Sequence, residues 1–249
     1  MTINWAKTKI HYLGDLDEDI QHATVQGNQV EVVESFTYLG SLIHCSGSSK
    51  PEIKREANFV HEAMFVLDQN VWRSNITLKT KLRLYNTRIL PIYLYGAETW
   101  SVTATLSKKI DAMDNWCLRR LRRILNIHWT ELITNDEVRS RTGQPFLSDI
   151  VHRRRLSFYS HLNRANPWQD HHRALQACNI VPPVEWRRRT DRPRQTWLRT
   201  VETDLRPMNL GLTSAKRCAQ DKAAWRQAPE EVWNLQLLSL SEYFINQTP

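Results

Sequence analysis

Apolar and polar residues recur along the chain with two different periods, and the change falls near residue 50. Before it, short β-rich runs dominate, and in TVQGNQVEVVESFTYLGSLI two such runs flank Gly27-Asn28, a pair typical of a hairpin turn. The segment CSGSSKP ends this pattern, and its Pro51 is typical of the first turn of a helix. The apolar faces of the β element are assigned to Val30, Val32, Phe36, Tyr38 and Leu42.

After Pro51 the apolar residues recur every three or four positions, which is the period of a helix. One stripe from Ile53 to Val71 predicts a single long helix. A second helix is predicted from Thr77, and Pro91 should kink or end it because the ring removes a backbone donor and clashes with the preceding turn. A third is predicted from about Leu106 to Leu125. The inward positions are Ile53, Ala57, Val60, Met64, Leu67, Val71, Leu78, Leu82, Tyr85, Ile89, Leu106, Ile110, Met113, Cys117, Leu121 and Ile124.

Caps and apolar spacing predict further helices toward the C-terminus. The capping-box spacing of Thr134 and Glu137 predicts a short helix that ends at Gly143. Later helix starts are assigned to Ser148, to Asp191-Arg192-Pro193, and to Thr213 or Ser214. The buried edges are assigned to Val151, Phe158, Leu162, Trp197, Val201, Leu205, Cys218, Ala219 and Trp225. The pattern as a whole predicts a mainly α protein with a small N-terminal antiparallel β element.

Charge is distributed unevenly along the chain. Residues 1–62 carry five Lys/Arg against nine acids, whereas residues 63–249 carry 29 against 17, so the two parts have net charges of −4 and +12. An asymmetry on this scale favours a polyanionic partner for the later part. The alternative is that the basic residues serve solubility alone.

Three groups of arginines are candidates for phosphate contacts, which supply affinity without reading sequence. The strongest is in EWRRRTDRPRQTW, where Trp186 and Trp197 could stack on unpaired bases. Of the two, Trp197 is expected in the core instead, because it shares a stripe with Val201. The alternatives for this segment are a disordered basic loop and a nuclear import signal. The candidates are Arg119, Arg122, Arg123, Arg153, Arg154, Arg155, Arg187, Arg188, Arg189, Arg192 and Arg194.

The two earlier groups have a structural alternative. Arg119, Arg122 and Arg123 share one helix face, so they could instead form ion pairs within the chain. The acids available for such pairs are Glu131, Asp136 and Glu137. Arg153–Arg155 extend around much of their helix, so at least one of them is expected to be exposed.

Several classes of protein are disfavoured. The four cysteines form no CxxC pair, and the spacing of His171 and His172 from Cys178 matches no familiar metal site. No apolar stretch approaches the roughly 20 residues of a membrane span, and MTINWAKTKI is not typical of a signal peptide. A nuclear or cytoplasmic protein with reduced thiols, no resident metal and no membrane partner is expected.

Eight segments occur in an order that resembles the end of reverse transcriptases from non-LTR (LINE-like) retrotransposons. They are INWAKTKI, VESFTYLGSLI, EIKREANFVHEAM, TKLRLYNTRILPIYLYGAETW, CLRRLRRILNIHW, RRRLSFYSHLNRA, DRPRQTWLRTVETDL and CAQDKAAWR. Any one of them is a weak signal, but the ordered set extends from Ile3 to about Arg226.

The resemblance implies a role for each part of the chain. Lys7, Thr8 and Lys9 would belong to the last palm strands, and Phe36, Thr37, Tyr38, Leu39 and Gly40 to the hairpin that holds the primer end. The helices from Pro51 to Trp100 would be the thumb, and the basic helices after it would contact element RNA or target DNA. The segments are residues 1–49 (β-hairpin remnant of the palm), 50–128 (helical thumb-like domain), 129–180 (basic helical region), 181–228 (basic linker and helices) and 229–249 (a tail with no assigned role).

The sequence also departs from that family. Its polymerases hold two Mg²⁺ ions with paired carboxylates, and this chain has no Asp-Asp pair. Mg²⁺ is therefore expected only if the missing palm is supplied, and Asp15, Asp17, Glu18 and Asp19 are interpreted as solvated surface. Asp191 stands where the family usually has Gly. Without a palm beneath them, Tyr38, Leu39 and Gly40 are expected in the sheet core, and Tyr93, Tyr95 and Trp100 in the helical core.

The expected function is that of a non-catalytic nucleic-acid-binding fragment of such a reverse transcriptase. Its partners would be RNA or DNA, and possibly the rest of a reverse transcriptase. The alternative is a structural or interaction protein, or a degenerate relic, whose basic helices serve solubility or an acidic protein partner.

Overall fold

The structure, a computed structural model, describes residues 3–14, 22–121, 133–178, 185 and 195–225. It confirms a mainly α fold with a small N-terminal β element. The described residues belong to two compact units. One contains the chain up to Ser148 with residues 185, 195 and 196, and the other contains residues 149–178 and 197–225. The five-segment division of the chain stays a prediction.

Five short strands form two small sheets in the first unit. The first sheet has the order β1-β3-β2, with β1 parallel and β2 antiparallel to β3. In the second, β4 and β5 pair as an antiparallel hairpin. The first sheet is therefore mixed, and the second is antiparallel as predicted. The strands are β1 (Lys9–His11), β2 (His22–Val25), β3 (Asn28–Val33), β4 (Ser35–Tyr38) and β5 (Ser41–His44).

Both hairpins have two-residue turns with left-handed backbone. Val25 pairs with Asn28, so the turn residues of the predicted hairpin are Gln26 and Gly27, one position earlier than expected. Positive φ at both central residues matches the twist of the flanking strands. Leu39 and Gly40, with φ of +48° and +86°, close the β4–β5 hairpin in the same way. The apolar pattern did not separate this second hairpin from the first.

Helix α1 (Lys50–Val66) begins as predicted, with Pro51 in its first turn, but ends earlier than the apolar stripe suggested. A π turn follows over Asp68–Trp72. There the buried Trp72 indole donates to the Met64 carbonyl at 3.0 Å, and the buried Lys81 ammonium donates to the Trp72 carbonyl at 2.9 Å. These contacts satisfy backbone carbonyls at the helix end. Because α1 ends at Val66 and a π turn follows, the prediction of one helix through Val71 is wrong.

The predicted second helix is interrupted at its proline. Thr77 caps α2 (Leu78–Leu84) as predicted, by accepting from the Thr80 amide at 3.3 Å. A π turn over Tyr85–Ile89 then leads into α3 (Leu90–Tyr93), which carries Pro91 in its first turn. A proline ring clashes with the carbonyl four residues earlier, and the wider π turn directly precedes it.

Two further helices complete the first unit. Helix α4 (Ala104–Leu121) buries Leu106, Ile110, Met113 and Cys117 as predicted. The predicted extension of this helix to Leu125 lies outside the described residues. Helix α5 (Asn135–Thr142) is capped by Thr134 and ends at Gly143, whose φ is +62°, both as predicted.

Helix α6 (Leu147–Arg164) starts before Ser148, so the predicted cap is wrong. Ser148 is buried, and its amide and hydroxyl donate to the Asp111 carboxylate at 2.9 and 2.8 Å. The second unit continues with α7 (Asp170–Cys178), α8 (Trp197–Leu205) and α9 (Leu212–Cys218). Gly211, rather than Thr213 or Ser214, stands at the N-cap of α9. The proposed helix start at Asp191-Arg192-Pro193 lies outside the described residues.

Each unit has its own apolar core. In the first, the buried aromatic residues Trp72, Tyr85, Tyr93 and Trp100 pack among the helices. In the second, Val201 and Leu205 are buried as predicted, and Trp197 packs against the cluster, which confirms its place in the core. The other buried members are Leu156, Tyr159, Leu162, Leu175, Ala215, Ala219 and Trp225. Cys218, predicted on the buried edge, is exposed.

A buried arginine–carboxylate pair also stabilises each unit. Arg139 donates to Asp114 at 2.8 Å in the first, where the Tyr85 hydroxyl donates to the same carboxylate. Burial raises the pKa of Asp114, and these two donors oppose that effect. Arg155 donates to Asp204 at 2.6 Å in the second, and its side chain is fully buried.

Replacement of Asp204 by Ala should destabilise the protein by about 3–5 kcal/mol, because the Arg155 guanidinium would lose its carboxylate while it stays buried. Urea unfolding followed by circular dichroism measures the loss. Removing both charges, as in R155M/D204L, should restore much of the stability.

The matched control is Asp170→Ala, which breaks the exposed Arg173–Asp170 pair on α7. An exposed pair contributes at most about 1 kcal/mol. Equal losses for Asp204→Ala and Asp170→Ala would contradict a stabilising role for the buried pair.

Candidate nucleic-acid interface

The five residues that the resemblance places at the primer end lie on the β4–β5 hairpin of the first unit. Phe36 is half-buried, but Tyr38 and Leu39 are 59% and 76% exposed. The expectation that Tyr38, Leu39 and Gly40 lie in the sheet core is therefore wrong. Two large apolar side chains at the turn are instead presented to solvent.

Three hydrogen bonds hold this hairpin against α1 and Tyr95. The Tyr95 hydroxyl donates to the Leu39 carbonyl at 2.7 Å, and the Arg55 guanidinium donates to the Gly40 carbonyl. Within β5, the Leu42 amide donates to Glu52 at 2.9 Å. Tyr95 is half-exposed because its ring reaches out to the hairpin, so its predicted core position is wrong, whereas Tyr93 and Trp100 are buried as expected.

Close packing at Gly40 adds a second restraint. A Cβ at this residue would lie 3.0 Å from Cε1 of Tyr95, and φ is +86°. Glycine alone adopts this backbone without strain and leaves the ring in place. The hairpin is thus fixed in a position that exposes its apolar tip.

Beneath the turn, Arg55 lies between two inward-facing acids of α1. It donates to Glu52 and to Glu56 at 2.8 Å each, and both carboxylates are almost fully buried. Burial raises the pKa of Glu56 to about 7, although the charge of Arg55 opposes the shift. Glu52 and Glu56 are four residues apart on the predicted apolar side of the helix, and acids in that position were the available sequence signal for this cluster.

The predicted arginines occupy different environments. Arg119 donates to the Asn135 side-chain oxygen at 2.8 and 2.6 Å and to the Ile133 carbonyl at 3.0 Å, so these partners carry no charge. Glu137, one of the acids considered for it, pairs with Arg141 at 2.6 Å. Arg122 and Arg123 lie outside the described residues.

The three consecutive arginines of α6 are divided between surface and core. Arg153 and Arg154 are exposed, and Arg155 is buried against Asp204. A phosphate cannot reach the Arg155 guanidinium while that pair is closed, so the structure gives this residue a stabilising role in the core. Arg187, Arg188, Arg189, Arg192, Arg194 and Trp186 lie outside the described residues.

A further basic and aromatic cluster was not predicted. Asp68 accepts from Arg73 at 2.7 Å and from Arg120 at 3.2 Å. Burial would raise the pKa of Asp68, but these hydrogen bonds outweigh burial and the pKa is lowered. The Arg120 guanidinium also lies 5.4 Å from the centre of the Trp116 ring, which packs 4.3 Å from the ring of His61.

The described residues also bear on two other kinds of site. No group of three or more His, Cys, Asp or Glu side chains converges there as a metal site would require. Among the described helices, none is both long and apolar enough to cross a membrane.

Comparison with known proteins gives one relevant similarity. The chain is 24% identical over 233 residues to an uncharacterized transposon-derived protein of Caenorhabditis elegans, a match that covers 90% of this chain and 81% of the relative. No family model matches, and no solved structure matches. The chain is therefore similar to a transposon-derived protein, and this similarity does not by itself specify a reverse transcriptase.

Replacement of Gly40 by Ala should destabilise the protein more than replacement of Gly27 by Ala. Both residues have positive φ, but an added Cβ meets the Tyr95 ring only at Gly40 and meets nothing within 4 Å at Gly27. The strain common to both should be about 1 kcal/mol, and the excess for Gly40→Ala should be about 1 kcal/mol or more. Urea unfolding measures both.

The excess should vanish when Tyr95 is also replaced by Ala, because the steric conflict is then removed. If it persists in the double variant, the close contact between Gly40 and Tyr95 does not restrain the turn.

Replacement of Glu56 by Gln should flatten the pH dependence of stability between about pH 4.5 and 7. The pKa of Glu56 is raised from 4.5 to about 7, so the folded state binds the proton more tightly than the unfolded state. This contribution is fully present below pH 4.5, is lost as the pH rises toward 7, and is constant above it. The unfolding free energy of Glu56→Gln relative to the natural protein should therefore increase across this range.

Glu62→Gln is the control, since Glu62 is exposed on the same helix and its substitution relieves no burial. A relative stability of Glu56→Gln that does not change with pH would contradict the raised pKa.

Proposed function

We propose that the protein is a non-catalytic nucleic-acid-binding fragment related to the thumb and C-terminal region of a non-LTR retrotransposon reverse transcriptase. It binds RNA or DNA in the nucleus or cytoplasm through arginine–phosphate contacts. Polymerase chemistry would require the Mg²⁺-holding carboxylates of a palm supplied from elsewhere.

The observation that carries this proposal is the exposed tip of the β4–β5 hairpin. Three hydrogen bonds fix this hairpin, and in the fixed position the side chains of Tyr38 and Leu39 are exposed to solvent. A rigid turn with an exposed apolar tip suits contact with a molecule outside the chain, and it is the segment that resembles a primer-holding hairpin.

The placement of basic groups supports the same proposal. Arg153 and Arg154 are exposed on α6, and Arg119 is held by uncharged oxygens. A guanidinium held by uncharged oxygens, as that of Arg119 is, can still attract a phosphate. The similarity to a transposon-derived protein is consistent with an origin in a mobile element.

A structural or interaction role is the second candidate, and a specific observation favours it. Arg55, Arg139 and Arg155 donate to buried carboxylates of their own unit, so part of the positive charge serves the fold. In that role the remaining exposed arginines would serve solubility or an acidic protein.

Binding to short RNA and DNA should weaken at least about tenfold between ~50 and ~200 mM salt, because each phosphate contact releases counterions. Replacement of both Arg153 and Arg154 by Ala should lower affinity similarly for all sequences and reduce the salt slope by about two. Fluorescence anisotropy of labelled oligonucleotides measures both effects.

The matched control replaces Lys9 and Arg141 by Ala, which removes the same charge from residues that lie outside α6 and pair with Glu31 and Glu137. Its effect should be smaller. No binding at low salt, or an affinity that does not change with salt, would contradict the proposal. Equal losses of affinity for the Arg153/Arg154 and Lys9/Arg141 double variants would contradict the assigned contact surface.

A further inference from the structure

Trp168 is 87% exposed, the largest exposed fraction among the large hydrophobic side chains described. It lies in residues 165–169, the short connection from α6 to α7 that we call the Trp168 corner. Neither the resemblance to reverse transcriptases nor the proposed function assigns this residue a role.

The corner is closely restrained. The Asn166 side-chain oxygen accepts from the Trp168 amide at 3.1 Å, and the Asn166 carbonyl accepts from the Gln169 amide at 2.9 Å. At the base of the corner, the rings of His161 and His171 stack, with their centres 5.9 Å apart and an angle of 15° between their planes. The indole is therefore presented by a fixed turn, so little conformational freedom is lost when a partner binds it.

The unit that carries the corner has an excess of positive charge. The described residues of the second unit contain ten Lys/Arg and five Asp/Glu. Arg154, Ser157 and His161 are exposed and recur at helical spacing, so they form a face of α6 that leads to the corner. Phosphates would be attracted to a unit with this net charge.

The Trp168 indole has no other large exposed hydrophobic side chain near it in the described part of the second unit, and this favours a nucleic acid over a protein or a membrane as its partner. Among the described residues of the second unit, Trp168 is the one large hydrophobic side chain that is exposed. A protein-docking surface or a membrane-binding surface usually presents a contiguous apolar patch. A single aromatic ring on a positively charged unit fits a nucleobase, because every base has a face on which an aromatic ring can stack.

We infer that the Trp168 corner is a stacking platform for an unpaired base of single-stranded nucleic acid, with the strand's phosphates along the face of α6 that carries Arg154. This inference rests on the proposed nucleic-acid binding and deepens it, because it names a single strand as the ligand of the second unit. A duplex would not use the platform, since its bases are already stacked.

The test compares the full chain with Trp168→Ala and Trp168→Phe in anisotropy titrations at low salt. The probes are a 12-nucleotide oligo-dT, the matching RNA oligo-U, and a 12-base-pair duplex. Trp168→Ala should weaken binding to both single strands roughly 5- to 100-fold and leave duplex binding within about twofold. Trp168→Phe keeps an aromatic ring and should therefore retain most of the single-strand affinity. Circular dichroism should show an unchanged fold because the side chain is exposed.

Phe65→Ala is the matched control, since it removes an exposed aromatic ring from α1 in the first unit, and it should change none of these affinities. A 12-unit strand of abasic spacers supplies a second control. The natural protein should bind this strand weakly, and Trp168→Ala should weaken it no further.

The outcomes separate this inference from the proposed function. If Trp168→Ala binds single strands as well as the natural protein does, the stacking inference is wrong and the proposed nucleic-acid binding still stands. Equal losses of affinity for single strand, duplex and abasic strand would lead to the same conclusion. A natural protein that binds none of the probes would overturn both. Increased binding to neutral lipid vesicles that depends on Trp168, without a base-dependent effect, would assign the indole to a membrane surface instead.

Discussion

The contact of Arg55 with the β4–β5 turn and with Glu52 and Glu56 is the interaction on which the proposed interface depends. The guanidinium satisfies the Gly40 carbonyl and compensates two acids that α1 buries. Buried carboxylates are tolerated only when charge and hydrogen bonds compensate them. Because the same group holds the turn, the position of the exposed tip is coupled to the stability of the helix beneath it.

The arginines show how one residue type can serve both fold and surface. Arg139 and Arg155 are buried against Asp114 and Asp204, and the partners of Arg119 are uncharged. Arg153 and Arg154 are next to Arg155 in sequence yet remain exposed, since a helix turns successive residues to different sides. Net charge alone therefore overstates the positive surface available to a phosphate chain.

Local signals in the sequence predicted much of the fold. Pro51, Thr77 and Gly143 mark helix ends where the structure places them, since capping depends on a few neighbouring residues. The end of α1 and the start of α6 were predicted less well, because tertiary contacts of Trp72 and Ser148 determine them.

The candidate site was harder to predict because it depends on contacts between distant parts of the sequence. Arg155 meets its partner 49 residues away, and Tyr95 holds a turn 56 residues before it. Periodicity carries no information about such pairings, so Arg155 was counted among the candidates for phosphate contact and Tyr38 was expected in the core. The exposure of Trp168 likewise follows from the turn between α6 and α7.

The central claim is that the hairpin tip and the outer face of α6 contact nucleic acid. Photo-cross-linking of the full chain to RNA containing 4-thiouridine, followed by mass spectrometry of the modified peptides, tests it most directly. The account predicts modified residues within 36–43 and within 150–169. Cross-links confined to other parts of the chain, or none at all, would contradict it.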